Sequence, residues 1–266
     1  MPGTKTGLME FALCAVERGG TIVLPDPGYP DYFSAVALAG AKHVPFNGFD
    51  VKADAMYLNF PSNPTAATVS VGLFEEAVQW AERNHAWVLH DFAYGDLVFD
   101  GRSPQSFLAV AGARNVGVEL FSMSKTYGMA GWRLGFALGN AELIRRIELA
   151  QDHAFAGIFR PIQEAGIAAL TGPQDSVEER RATYERRRDR ALASLAGIEA
   201  QSEGTFFVWL RLPDGITVDR LLVEHRVALS PGEGFGARGA GWARLSLAVS
   251  DETLDRGLER LRSAFD

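Results

Sequence analysis

The 266-residue sequence predicts an α/β fold: a mainly parallel sheet sandwiched by helices, followed by a smaller C-terminal α+β unit. Three observations carry this. Short apolar runs alternate with stretches of helical periodicity from Leu8 to Gln151. The polar side chains best suited to chemistry, Asp91 and Lys125 among them, fall at the carboxyl ends of those runs, where open α/β sheets place ligands. Beyond Leu195 the pattern changes to short strand-like runs flanked by two helices.

The composition, 47% hydrophobic and 22% charged, is that of a globular enzyme with a chain long enough to bury a large core. A net charge of -7 argues against nonspecific nucleic-acid binding, which needs a basic face. The single Cys14 forms no intrachain disulfide and fits a reducing compartment. No apolar run is long enough for a membrane span, and Met1 to Gly7 has no apolar signal core, so a cytoplasmic location is expected. The histidines lack metal-ligand spacing.

In chain order, the loop Gly3-Thr4-Lys5-Thr6-Gly7 leads into a helix from Leu8 to Arg18 that stops at Gly19-Gly20. A glycine loop opening a helix offers free N–H groups to an anion, although it is also a common connection. A strand at Thr21–Leu24 runs into Pro25-Asp26-Pro27-Gly28-Tyr29-Pro30, whose prolines fix the direction of the Tyr29 ring. That ring could stack on a planar cofactor or simply fill the loop. A helix (Phe33 to Ala39) and a strand (His43 to Phe46) precede Met56-Tyr57-Leu58-Asn59-Phe60-Pro61-Ser62-Asn63-Pro64-Thr65-Ala66, a strand ending in a double Asn/Pro turn. Val71 to Asn84 is amphipathic, with Leu73, Phe74, Ala77, Val78 and Ala81 on its apolar side. Ala86 to Asp91 reads as a strand ending in an acid, which alone could equally cap a turn, and His90 reads as a packed imidazole.

The strand Val116 to Phe121 is followed by Ser122-Met123-Ser124-Lys125 and a glycine-punctuated turn to Arg133. Ser122 and Ser124 can donate to phosphate oxygens, and Arg133 offers a two-pronged, permanently charged grip. Lys125, among cationic and polar neighbours in a partly dry site, can lose a proton and attack a carbonyl. A strand (Leu134 to Leu138) and a helix (Ala141 to Gln151) follow. Ser176 to Leu195 is a long helix in which Arg186-Arg187-Arg188 are interspersed with Glu178, Glu179, Glu185 and Asp189, so a solvated, ion-paired face is expected. Strands are predicted at Phe206–Leu212, Val227–Leu229 and Trp242–Leu247, and helices at Val218–His225 and Thr253–Ala264. Arg244 breaks an alternating strand and on that ground alone would point to water.

These motifs resemble those of the fold-type I (class I/II) pyridoxal-phosphate-dependent aminotransferases. The resemblance rests on Ser122-x-Ser124-Lys125 with Arg133, on Asn59-x-Pro61-x-Asn63-Pro64-Thr65 with Ala66 where the family has glycine, on Asp91-x-x-Tyr94, and on Arg244-x-Ser246 after the glycine-rich Pro231–Gly236. It implies pyridoxal 5'-phosphate as cofactor, carried covalently on Lys125. Ser122, Ser124 and Arg133 would hold its phosphate, assisted by Thr4 and Lys5. Asp91 would keep the pyridine nitrogen protonated, Tyr94 and Asn63 would bind the phenolic oxygen, and Tyr29 would cover the ring. Arg244 would clamp the substrate carboxylate, with Asn63 and Tyr29 beside it. Lys125, Asp91 and Tyr94 would be catalytic.

By the same resemblance, residues 1–180 form the cofactor-binding large domain, N-terminally truncated relative to the family, and 181–266 the small domain. The protein would be a homodimer, with His153 to Gln163 reaching across the interface. Its expected activity moves an amino group between an L-amino acid and a 2-oxo acid. Glutamate with 2-oxoglutarate is expected as one pair, and a diaminopimelate-precursor or methionine-type compound as a candidate for the other. A carbon–sulfur β-lyase on the same scaffold, or a non-catalytic module that binds the cofactor, would keep the same binding residues. A dinucleotide-binding enzyme is disfavoured, since no Gly-x-Gly-x-x-Gly follows the first strand.

Overall fold

In a computed structural model that describes residues 1–265, the apolar runs form a six-stranded sheet with order β2-β1-β3-β4-β5-β6. Its strands are β1 (Thr21–Leu24), β2 (Lys42–Pro45), β3 (Ala55–Asn59), β4 (Trp87–Asp91), β5 (Gly117–Ser122) and β6 (Gly135–Gly139). All neighbouring pairs are parallel except β5 and β6. The central strands are buried on both faces, which explains their near-continuous apolar sequence. In β3, Ala55 and Tyr57 join one core layer, and Met56 and Leu58 join the other.

The first layer is closed by α1 (Thr4–Ala15) and α2 (Pro30–Leu38), with Leu8, Phe11 and Tyr32 buried in it. The second lies under α3 (Val71–Asn84), whose Phe74, Ala77, Val78, Trp80 and Ala81 are buried, as its amphipathic pattern requires. Short helices α4 (Ala113–Val116) and α5 (Met123–Thr126) bracket β5, and α6 (Ala141–Phe155) returns to the first layer through Leu143. Next come α7 (Arg160–Thr171), a helix for which the sequence analysis offered no assignment, and α8 (Asp175–Ser194).

A second, four-stranded sheet has order β7-β8-β10-β9: β7 (Ala200–Gln201), β8 (Phe207–Arg211), β9 (Ser230–Pro231) and β10 (Trp242–Ser246). With α8, α9 (Val218–His225) and α10 (Asp251–Phe265), it encloses a separate core that includes Ala191, Val208, Leu221, Leu245 and Leu258. The boundary expected at residue 180 falls inside α8.

Several local expectations are corrected. The first helix begins at Thr4, because Gly3 (φ 79°) turns the chain directly into it, and it ends at Ala15, where Val16 becomes extended. Val227–Leu229 is not a strand: Arg226 ends α9 in a left-handed conformation and Val227 packs into the core. From this segment, only the following Ser230 and Pro231 pair with β10, and Pro231 has no N–H to extend the ladder.

The arginine cluster on α8 is also not uniformly solvated. Arg188 is only 5% exposed. It grips Asp100 at 3.0 and 2.6 Å, donates to the Ser202 carbonyl at 2.9 Å, and lies 5.0 Å from the centre of the Phe99 ring. This arginine fastens α8 to the segment after β4. Replacing its charge while keeping its bulk, Arg188→Met, is expected to lower unfolding stability by about 2 kcal/mol, through the loss of charge-assisted hydrogen bonds. Arg186→Met, on the exposed side of the same helix, should change it by less than about 0.5 kcal/mol. Urea denaturation of the two variants checks the contrast.

Candidate active site

Three parallel strands deliver the site. The last residues of β3, β4 and β5 are Asn59, Asp91 and Ser122, and Asn59 lies directly opposite Asp91. Asn59 Nδ2 donates to the Asp91 carbonyl at 2.9 Å, and its Oδ1 accepts the Asn63 N–H at 2.7 Å. The Asn/Pro turn is thereby hung from the strand end that carries the acid. Ala66, in the family's glycine position, keeps this turn with φ 56°.

Asp91 is 5% exposed. Its Oδ2 accepts the Tyr32 hydroxyl at 2.8 Å, and its Oδ1 accepts the Ala93 N–H at 3.2 Å. Burial raises its pKa; the Tyr32 hydrogen bond, His90, the Ala93 N–H and Lys125 each act in the opposite direction. Tyr32 carries no motif that marks it as functional. Its one signal is position, three residues after Tyr29 on the first turns of α2, where the two rings meet edge to face at 5.6 Å.

At the end of β5, the Ser122 hydroxyl accepts the Ser124 N–H at 3.2 Å and caps α5, whose first turn carries Lys125. The Lys125 amine lies 5.0 Å from the Phe206 ring centre and 5.8 Å from that of Tyr94. Burial lowers its pKa, and the charges of Arg133, Arg244 and Lys5 add to that, against the opposing pull of Asp91. The loop behind it is held from α8: Arg180 Nε donates to the Thr126 carbonyl at 3.1 Å, and the Thr126 hydroxyl donates to Asp96 at 2.9 Å. Arg133 adopts a left-handed conformation (φ 51°) that turns its side chain back toward Gly3.

Thr4, Lys5, Tyr29, Asn63, Asp91, Tyr94, Ser122, Ser124, Lys125 and Arg133 line one cleft. Lys5 is engaged by Asp31 at 2.6 Å and lies 5.6 Å from the Tyr29 ring centre. Arg244 adjoins the cleft through Asn63, to whose Oδ1 it donates at 2.5 Å; its other terminal nitrogen donates to the Ser230 hydroxyl at 3.2 Å. Its guanidinium lies between Phe207 (4.1 Å) and Phe235 (4.7 Å). The Arg244 Nε is buried without a partner, and burial lowers the pKa of the group. The arginine therefore does not point to water, and among the described residues no carboxylate pairs with it. Phe206 and Phe207, the aromatic walls for Lys125 and Arg244, are residues the sequence analysis left in a strand.

The donor set suits a compact dianion with an aromatic ring. Lys5, Lys125 and Arg133 face the cleft and Asp91 is the one carboxylate lining it among the described residues, so these walls carry excess positive charge. A Cβ on Gly3 would come within 2.8 Å of the Arg133 guanidinium carbon, so the glycine leaves that group room at the mouth. No group of three His, Cys, Asp or Glu among the described residues could hold a metal, and none of their helices is long and apolar enough to cross a membrane.

A parallel sheet that gathers a depressed-pKa lysine, a buried acid and hydroxyl and cationic donors at its strand ends defines an enzyme that works through a phosphorylated, amine-reactive cofactor. The family "Aminotransferase class I and II" matches residues 1–261. The L-glutamine--4-(methylsulfanyl)-2-oxobutanoate aminotransferase of Bacillus subtilis (strain 168) is 43% identical over 97% of this chain and 71% of its own length. The LL-diaminopimelate aminotransferase of Moorella thermoacetica is 38% identical over 98% of this chain and 73% of its own. Among solved structures, substrate-bound BacF from Bacillus subtilis superposes with a TM-score of 0.94 at 34% identity, covering 99% of this chain and 73% of that one. The chain belongs to the class I and II aminotransferases, enzymes that use pyridoxal phosphate.

The buried acid makes a stability prediction. Burial holds the Asp91 pKa above its unfolded value, so between the two values the folded state binds the extra proton and stability falls as pH rises. Asp91→Asn removes that dependence. The cofactor-free variant should resist urea better than the parent at neutral pH, with a margin that shrinks as pH is lowered toward the ordinary carboxylate range. Urea midpoints across that range, parent against variant, test the sign.

Proposed function

We propose that the chain moves an amino group between glutamate and 2-oxoglutarate on one side and an L-amino acid and its 2-oxo acid on the other, the second pair being methionine-type or a diaminopimelate precursor. The observation that carries carboxylate recognition is Arg244, a half-buried guanidinium whose buried Nε is unpaired and which has no carboxylate partner among the described residues. A partly desolvated cation without a counter-ion is unfavourable, and a substrate α-carboxylate would supply one. The names of the Bacillus subtilis and Moorella thermoacetica relatives support the second pair. The aromatic walls formed by Phe206, Phe207 and Tyr94 suit the uncharged, extended side chain of a methionine-type substrate.

Pyridoxal phosphate, when bound, supplies an aldehyde that condenses with amines and a ring that accepts the electron pair left at the substrate Cα. Ser122, Ser124, Thr4 and Arg133, with Lys5 at the rim, would hold its phosphate. Asp91 would stand behind the ring nitrogen and hold a proton there, since an adjacent anion favours the cationic form. Tyr94 and Asn63 would donate to the phenolic oxygen, and Tyr29 would cover the ring. Lys125 would tether the cofactor and then, freed by the incoming amine, take the proton from the substrate Cα. Burial and neighbouring cations favour its neutral, basic form for that task. Arg244 would fix the substrate by its carboxylate, with Asn63 orienting the guanidinium.

In this proposal residues 1–180 form the cofactor-binding domain and 181–266 the small domain. Two chains would assemble as a cytoplasmic homodimer. Exposed Phe155 and Phe159, both within the stretch expected at the interface, support such a partner.

Lys125→Ala is expected to reduce amino-acid-dependent 2-oxo acid formation by at least about 10²–10⁴-fold, the usual contribution of a positioned base. Full turnover in that variant would remove the lysine from the reaction. Arg244→Gln should lower kcat/KM for amino acids by roughly 10–100-fold, the loss of a charge-assisted carboxylate contact. An equal loss for a decarboxylated amine substrate would show that the arginine does not read the carboxylate. A panel of amino donors and 2-oxo acceptors decides the substrate pair.

A further inference from the structure

His90, next to Asp91 on β4 but on the other face of the sheet, takes no part in the chemistry above. Its ring is completely buried. Nδ1 lies 2.9 Å from Glu119 Oε2, and Nε2 lies 3.0 Å from the Phe60 carbonyl oxygen. A neutral imidazole has one N–H and one lone pair, so it can donate to only one of two acceptors. The Phe60 carbonyl can only accept, which requires a proton on Nε2. Glu119 is equally committed as an acceptor. It receives the Ser106 hydroxyl at 2.9 and 3.0 Å and the Phe107 N–H at 2.8 Å, the latter on the same oxygen that faces His90. Such donors stabilise the carboxylate over the carboxylic acid, so Nδ1 must donate as well.

The surroundings offer no competing partner. His90 and Glu119 are cross-strand neighbours on β4 and β5, and the rings of Phe74 on α3 and of Phe92 lie 4.8 and 5.1 Å away between centres. The titratable groups beside the imidazole are Glu119 and Asp91, the next residue of β4. Strand alternation sends the Asp91 carboxyl to the opposite face, toward Tyr32. The positive member of the pair is therefore bonded next to Asp91 in the chain, while the negative member sits one strand away.

We propose that His90 is a fixed imidazolium, clamped between Glu119 and the Phe60 carbonyl, and that it is a positioning residue whose charge keeps buried Asp91 ionised. The functional half rests on the proposed role of Asp91 behind the cofactor nitrogen; the protonation half does not.

Nitrogen–proton correlation NMR on the cofactor-free parent protein, with the His90 signals assigned by their loss in His90→Gln, tests the first half. Both ring nitrogens should still carry protons in mildly alkaline solution, where a free imidazole has lost one. A single protonated nitrogen there overturns the proposal, and this arm needs only the parent to be folded. Glu119→Gln should release one of the two protons; retention of both would show that the carboxylate is not what holds them. Carbon NMR of the Asp91 carboxyl then tests the second half: its titration midpoint should move to higher pH in His90→Gln, and an unmoved midpoint sinks it. Should Asp91→Asn retain full turnover while the nitrogen signals behave as expected, the role of Asp91 fails and the ion pair stands.

Discussion

The register of β3 against β4 is the constraint on which the rest depends. Asn59 and Asp91 are exact cross-strand partners at the ends of their strands, and Ser122 closes the next strand. Because side chains alternate, that register also decides which residues face the cleft. A slip of one position would turn Asp91 toward α3 and present His90 in its place. The apolar residues on both sides of β3 and β4 prevent such a slip, since it would exchange the two core layers at once. Placement of Asn59, Asp91 and Ser122 follows from core packing, while the turns that carry Asn63 and Lys125 are held by the Asn59 and Arg180 hydrogen bonds.

The electrostatics follow from the same geometry. Burial at the end of β4 holds Asp91 at a raised pKa, and partial burial holds Lys125 on α5 and Arg244 on β10 at lowered ones. Each group sits in the site against its own solvation, and each would be better solvated in an unfolded chain. The protein offsets part of this locally. Tyr32 and the Ala93 N–H bond the acid, and aromatic faces lie against both the lysine and the arginine. The remaining imbalance is an excess of positive charge with unfilled donors, which is the property a phosphorylated cofactor and a carboxylate substrate would neutralise.

Much of this was legible in the sequence, because polar residues at the ends of apolar runs are conspicuous. Lys125, Asp91, Asn63, Ser122 and Arg133 announce themselves by type and position, and they do line one cleft. The residues that hold them are less visible. Tyr32 is one tyrosine in a turn until α2 folds over the sheet and brings it to an acid 59 positions away. Arg188 hides among neighbours of its own kind, and only tertiary packing separates it from exposed Arg186. Val227–Leu229 has strand composition but spends it on core contacts. Local pattern reveals which groups carry chemistry; contacts between distant segments decide which groups position them.

Those distant contacts also join the two sheets. Arg244 and Phe207 come from the smaller sheet, whereas Asn63 and Lys125 come from the larger one, so substrate binding as proposed requires both to be in place. The ties between them lie close to the site. The Gly28 N–H donates to the Phe235 carbonyl at 2.7 Å, joining the segment that carries Tyr29 to the ring beneath Arg244. Glu203 accepts from both the N–H and the hydroxyl of Thr68 at 2.8 Å, just beyond the Asn/Pro turn. Arg180 reaches from α8 to the Thr126 carbonyl beside Lys125. These ties join the smaller sheet to the lysine loop, the tyrosine turn and the asparagine turn together, so the placement of Arg244 relative to Lys125 depends on all three.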